Sequence, residues 1–220
     1  MSLATATNPR LLVVGGSPRG DGSHALALAE SVVEAFADRH PDLEIDRLDA
    51  FSLAPFGPRH TDAKMAVIAG EDVPGRAVAA WEEVRAVWER VAAADVLVFA
   101  VPLWNSGLPW ALKLFIDTIT QPGLAFSFDP ETGYSGLLGG RRAVVAYTSA
   151  VYSPGVPPAF GTDEAAPFLR SWLAFVGIDA AGEVRLQPTY PTPDFEERRQ
   201  RAHAEARALG TALAEQVVLR

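Results

Sequence analysis

Residues 11–23, LLVVGGSPRGDGS, carry an apolar run straight into a turn of glycine, serine and arginine, and a helical pattern begins at once at Ser23. Ser23 stands where a helix N-cap belongs, and Gly20 and Gly22 ease the turn. A helix N-terminus offers unpaired N–H groups and partial positive charge, which suit an anion. Ser17, Arg19 and Ser23 add donors. Each hydrogen bond to a charged phosphate contributes about 1.5–3 kcal/mol. The spacing is neither that of a nucleoside-triphosphate loop nor that of a dinucleotide pyrophosphate turn. The alternative is that the glycines only turn the chain and Ser23 only caps the helix. His24, just inside the helix, is either a phosphate partner or a solvated side chain.

A second stretch, VPLWNSGLPWALKLFID (101–117), ends an apolar run in Pro102, Leu103, Trp104 and Asn105. A flat ring beside an amide suits an aromatic heterocycle with imide edges: its face is stacked and its rim hydrogen-bonded. The alternative puts Trp104 in the core and Asn105 at the start of the next helix. A third stretch, YTSAVYSPG (147–155), clusters Thr148, Ser149 and Tyr152, and could equally be an ordinary polar turn.

The elements that must position these loops follow from periodicity. Strands are expected at 11–16, 43–49, 95–104, 142–150 and 183–190. Helices are expected from Ser23, with Leu26, Ala29, Val33 and Phe36 on one face, and over 77–94, with Trp81, Val84, Val87, Trp88 and Val91 on another. Further helices are expected from Trp110, over 164–178 and over 194–217, with Pro109 near the first turn of the Trp110 helix. Residues 50–75, rich in proline and glycine, read as irregular, and 125–140 as a hairpin. Strands alternating with helices imply right-handed βαβ units, hence an α/β fold with a doubly wound five-stranded parallel sheet and helices on both faces. In such sheets ligands sit at the carboxyl ends of the strands, which is where all three polar loops fall.

Composition narrows the function. The chain has 220 residues, 49% of them hydrophobic and 21% charged, with a formal net charge of −8. That is expected to fold as a single domain over 1–220 with a flexible amino terminus over 1–9. An acidic chain without a basic stripe argues against nucleic-acid binding. The absence of cysteine excludes disulfides, thiolate catalysis and cysteine-held metals. His24, His40, His60 and His203 are scattered, read as surface residues, and suggest no metal site. No apolar run reaches the ~18 residues of a membrane span, and no signal peptide is legible. A soluble, cytoplasmic protein is the expectation.

SPRGDGSHA (17–25), VPLWNSGLPWALKLFID followed by GLAFSF (123–128), and GLLGGRRAVVAYTSAVY (136–152) together resemble the flavodoxin-like NAD(P)H oxidoreductases. These are the FMN-dependent NADH-azoreductases and the related quinone reductases, and the likeness runs from about residue 10 to 217. It implies that Ser17 and Ser23, with His24 and Ala25, hold the FMN phosphate. It implies that Pro102, Leu103, Trp104, Asn105 and Ser106 line the flavin ring. Ser149, Ala150, Val151 and Tyr152 fall near the ring's pyrimidine edge, although the family's glycine pair is replaced here by Val151 and Tyr152.

The implied activity passes two electrons from NADH or NADPH through FMN to a small-molecule acceptor, a quinone or an azo compound. Asn105 would stabilise reduced flavin, and Tyr152 would shape the pocket or supply a proton. A flavin-binding electron carrier without small-substrate turnover is the alternative. A homodimer with its sites at the interface is expected. The sequence motive is the set of bulky aromatics Trp104, Trp110, Phe115, Phe126, Phe128, Phe160, Phe168 and Trp172 near the sheet's carboxyl edge.

Overall fold

Strand β1 (Arg10–Gly15) is buried from Leu11 to its end, β3 (Val96–Pro102) over its first six residues, and β6 (Arg142–Thr148) from Ala143 onward. Such runs cannot face water on either side, so they form the middle of a covered sheet. The computed structural model, which describes residues 8–216, places them there. The five-stranded parallel sheet has the order β2–β1–β3–β6–β7, with β2 (Glu44–Asp49) and β7 (Asp179–Leu186) at its edges. The expectation of flexibility over 1–9 lies, for residues 1–7, outside the described residues, as does Val217 of the last expected helix.

Alternate residues of each inner strand feed two cores. On one face Leu11, Val13, Val96, Val98, Val144 and Ala146 pack against α1 (His24–Ala37) and α6 (Phe195–Gln216). On the other, Leu12, Val14, Leu97, Phe99, Val145 and Tyr147 pack against α3 (Val78–Ala93), α4 (Trp110–Ile119) and α5 (Ala165–Val176). Phe99, Phe115 and Trp172 meet edge to face in that second core, with ring centroids 6.1–6.4 Å apart. The doubly wound reading therefore holds. So does the hairpin: β4 (Phe126–Asp129) pairs antiparallel with β5 (Gly133–Gly136). Asp129 closes its turn by accepting from the Glu131 and Thr132 amides.

Two expectations are corrected. Residues 50–75 are not irregular: they contain helix α2 (Pro58–Ala69). Its proline sits at the first helical position and Gly70 ends it in the left-handed conformation at φ 69°, so the residues that suggested a loop are the two punctuation marks of a helix. The last strand begins at Asp179 and stops at Leu186, four residues earlier at each end than 183–190.

The sheet's carboxyl edge is shaped by Gly16. Its N–H donates to the Ala100 carbonyl at 3.0 Å. A Cβ there would stand 2.3 Å from Leu112 Cδ1 and 2.8 Å from that same carbonyl oxygen. On the opposite face α6 lies as tightly on α1, because a Cβ on Gly210 would stand 2.3 Å from the Val32 carbonyl oxygen. Gly210→Ala should therefore separate the two helices and lower stability by about 1–3 kcal/mol. Urea unfolding checks this, with the midpoint falling and the slope unchanged.

Candidate functional site

Three strands stop together at the carboxyl edge, and their exits form one cleft of about 210 Å³. The β1 exit supplies Ser17, Pro18, Arg19, Ser23 and His24, the β3 exit supplies Pro102, Leu103 and Trp104, and the β6 exit supplies Thr148, Ser149 and Ala150. A larger hollow of about 470 Å³ lies between α3 and the amino-terminal halves of β1 and β2. It is at the wrong end of the strands for a doubly wound fold. Its charges also satisfy one another: Arg10 pairs with Glu44 at 2.9 Å and Arg90 with Asp46 at 2.7 Å.

The first wall is built for an anion. Ser23 caps α1, its Oγ accepting from the Leu26 N–H at 3.3 Å, while the Ala27 N–H goes to the Ser23 carbonyl at 3.0 Å. The first two helical amides, of His24 and Ala25, are left without intrahelical acceptors. Ser17 and Ser23 are both buried, and the Ser17 Oγ accepts from the Arg19 N–H at 3.4 Å. Each hydroxyl thus accepts from backbone and keeps its own hydrogen to donate. Ser23 is a cap, and its cleft-lining position gives it a second use. Burial and the neighbouring Arg19 and Arg199 charges hold the His24 pKa below its ordinary value. The side chain is half-buried and lines the cleft, so it is not simply solvated.

The second wall is a strained hairpin. The N–H and C=O of Trp104 and Gly107 exchange hydrogen bonds of 2.9 and 2.8 Å across the turn. Asn105 at φ 47° and Ser106 at φ 66° occupy its centre. Positive φ at both central residues marks a primed turn, which asparagine tolerates and serine does not favour. The turn is held from both sides: the Leu103 N–H donates to the Thr148 carbonyl and the Glu164 N–H to the Ser106 carbonyl, each at 2.7 Å. Trp104 is 36% exposed and lies 5.9 Å from the Phe51 ring, which in turn lies 5.2 Å from Trp110. It does not fill core. Asn105 does not cap α4 either, whose first residue follows Pro109.

The third wall carries Ser149, whose hydroxyl donates to the Tyr152 carbonyl at 2.5 Å. A fourth exit, from β7, adds Thr189 to the cleft, its N–H bonded to the Ser149 carbonyl at 2.7 Å. Sequence reasoning missed Thr189, and the signal was available: QPTY follows the edge strand as the other loops follow theirs.

Of the expected residues, Ser17, Arg19, Ser23, His24, Pro102, Leu103, Trp104, Ser149 and Ala150 are brought together in the cleft lining. Ala25 is buried beneath the first turn of α1. Asn105 and Ser106 form the adjoining turn, Val151 is exposed and Tyr152 is half-buried; none of these lines the cleft itself. The histidines are not free surface residues. His203 Nδ1 lies 2.7 Å from Ser31 Oγ, His40 Nε2 3.0 Å from the Ala214 carbonyl, and His60 accepts the Gly57 N–H and pairs with Glu83. No group of three or more potential metal-ligating side chains occurs among the described residues. Phe115 and Trp172 belong to the core and not to an open aromatic surface, whereas Trp104, Trp110, Phe128, Phe160 and Phe168 are exposed. Phe126 and Phe128 are not at the carboxyl edge as expected: their hairpin packs on Phe175 and Gly177 where α5 ends, ahead of the first residue of β7.

The turn yields a test. Ser106→Val should destabilise the protein by about 1–2 kcal/mol, because a β-branched residue is forced to positive φ. Ser106→Gly should leave stability equal or raised, and thermal unfolding of the two variants separates these outcomes.

A family described as having a flavodoxin-like fold matches residues 9–209. The chain is 40% identical over 197 residues to an FMN-dependent NADH:quinone oxidoreductase of Ruegeria pomeroyi, covering 89% of this chain and 97% of that one. It is 36% identical over 210 residues to FMN-dependent NADH:quinone oxidoreductase 3 of Pseudomonas fluorescens, covering 93% and 97%. Among solved structures, an azoreductase from Bacillus anthracis superposes with a TM-score of 0.83 at 22% identity, covering 93% of this chain and 99% of that one. An FMN-dependent NADH-azoreductase from the same species, in complex with FMN, gives 0.82 at 22% identity, covering 94% and 99%.

Proposed function

The chain belongs to the flavodoxin-like fold family, and we propose on that premise that it is an FMN-dependent NADH:quinone oxidoreductase whose acceptors include azo compounds. The observation that carries this reading is the meeting, in one cleft at the sheet's carboxyl edge, of an anion-suited loop and a loop bearing an exposed tryptophan. Curated relatives of that name align over almost their whole length.

The donor set fits the cofactor. Two buried hydroxyls with hydrogens to donate, two free helix amides and the Arg19 guanidinium match a phosphomonoester, which accepts but does not donate when fully ionised. The cofactor supplies two-electron hydride chemistry between reduced nicotinamide and a quinone. The protein's part is to hold and orient it. Ser17, Arg19, Ser23 and His24, with the His24 and Ala25 amides, hold the phosphate end. Pro102, Leu103 and Trp104 would support the ring, and Ser149 and Ala150, with Val151 just outside the cleft lining, would border its polar edge. Asn105, fixed by its turn beside Ser106 next to the cleft, would offer an amide donor to the negative charge that develops on reduction. Tyr152, whose carbonyl accepts from Ser149 of the cleft lining, would narrow the acceptor's approach from outside that lining. Protons for the product come from solvent.

Purification tests the reading. The protein, or the apoprotein given FMN, should show the visible bands of a flavin and oxidise NADH steadily when a quinone is present. Both substrates need the same open side of the ring, so initial-rate plots at several acceptor concentrations should be parallel. A chain that stays colourless with FMN is not this enzyme. Intersecting lines mean that two pockets exist where one is proposed.

We further propose that the whole chain is one domain, works in the cytoplasm where NADH is at hand, and is a homodimer with the cleft at the interface. Trp110 at 58% exposure, Phe160 at 53% and Phe168 at 40% support a second copy covering this edge, because such side chains are costly in water. A stable two-fold interface would bury more than about 2,000 Å². Light scattering should give twice the 23.5 kDa of one chain; a fully active species of single mass overturns the assembly.

A further inference from the structure

His24 has the cations Arg19 and Arg199 as neighbours and, among the described residues, no ion pair of its own. Arg19 faces it from its own loop. From α6 it meets the Phe195 ring at 5.6 Å, together with the Arg199 charge and His203. The carboxylates nearby are already engaged. Glu196 accepts from Arg199 at 2.7 and 2.9 Å, and Asp194 accepts from Arg198, whose guanidinium carbon lies 5.8 Å from the Phe195 ring. On α1, Glu34 lies toward Arg207 at 3.8 Å, and the ring nitrogen Nδ1 of His203 is taken by Ser31. His24 is therefore a half-buried imidazole, lining the cleft beside Ser17, Arg19 and Ser23, with cations on both sides.

We propose that the cleft binds the phosphate of FMN as a dianion together with one proton, taken up by the His24 ring, and that this makes His24 a determinant of selectivity for a phosphomonoester. The inference rests on the FMN reading above. In the free chain the same surroundings hold the imidazole pKa below its ordinary value, so the ring is mostly neutral at pH 7. A dianion placed in the cleft reverses the sign of the local field, and the proton enters with the ligand. Lowering the pH toward 7 strengthens the His24 contribution, and raising it above the bound-state pKa removes it. Riboflavin has no phosphate and so draws no proton. FAD, each of whose phosphates carries one charge, gains less from the imidazolium than FMN does.

Calorimetric titration of the intact apoprotein with FMN at pH 7.5, in two buffers of different ionisation enthalpy, measures the proton directly. The phosphate itself has a second pKa of about 6 and is already ionised at that pH, so any uptake belongs to the protein. The expected result is uptake approaching about one proton per FMN, and none with riboflavin. His24→Gln should abolish the uptake and weaken FMN about tenfold at pH 7, with riboflavin affinity nearly unchanged. Equal proton counts for FMN and riboflavin, or uptake that survives His24→Gln, overturn the proposal. Should the variant fail to fold, the histidine ring-proton NMR titration of the wild type decides. One of the four histidine midpoints must rise on FMN binding, and four unmoved midpoints overturn the proposal. FMN that does not bind at all overturns the functional reading instead, and gives no heat in either buffer.

Discussion

The site depends on the space denied at Gly16. Leu112 of α4 and the Ala100 carbonyl of β3 close over it so tightly that no side chain fits. The chain leaving β1 therefore stays bonded to β3 for one residue beyond the strand before it turns away. That contact does two jobs. It lets α4 settle over the sheet with Phe115 and Ile119 fully buried. It also fixes where the following loop starts, so that Ser17 and Ser23 come to lie over the end of β3 and not beyond the sheet. A side chain at this position would push apart the two strands between which a doubly wound sheet opens its ligand crevice.

The remaining walls are tied to this frame by backbone and not by side chains. The Trp104 hairpin is bonded to Thr148 on one side and, through Ser106, to the start of α5 on the other. The start of α5 is itself anchored: Asp163 accepts from the Ala166 N–H at 3.0 Å and from Arg185 of β7 at 2.9 Å. Arg185 stacks over the Tyr147 ring at 4.4 Å, and burial pushes the Tyr147 phenol well above its usual range. An uncharged phenol beneath an arginine that has its own carboxylate partners is a quiet foundation for a polar cleft. The strain of two positive φ values can persist because the end of β6 and the start of α5 hold the turn from both sides.

The sheet was legible in the sequence because the inner strands have no polar face to confuse, and β1, β3 and β6 all lie within a residue or two of their expected places. Legibility failed where burial is thin. Helix α2 buries only Ala63 and Ala66, leaving Met65 and Ile68 exposed, so its pattern has no large apolar stripe to read. The first four residues of β7 are largely exposed or small, and an edge strand of that kind carries its pairing in backbone bonds that leave no mark on residue type. The three polar loops were found because each follows a strong strand. Thr189 was missed because it follows a weak one. The aromatic residues divided between core and surface, Phe115 and Trp172 against Trp110 and Phe128, in a way that composition does not encode.

Helix α2 has a consequence for how such chains diverge. It buries only two alanines, is tied to its surroundings by pairs such as His60–Glu83 and Arg76–Asp62, and contributes no residue to the cleft lining or to either main core. Insertions, deletions and altered composition between residues 54 and 76 should thus accumulate among descendants of a common ancestor without disturbing the sheet. The β1 exit tolerates no such freedom, since one added residue between Gly16 and Ser23 would slide the helix cap away from the strand. Two loops that look equally rich in glycine and proline on paper are then under opposite selection: one is a place where lineages differ in outline, and the other a place where they must keep count.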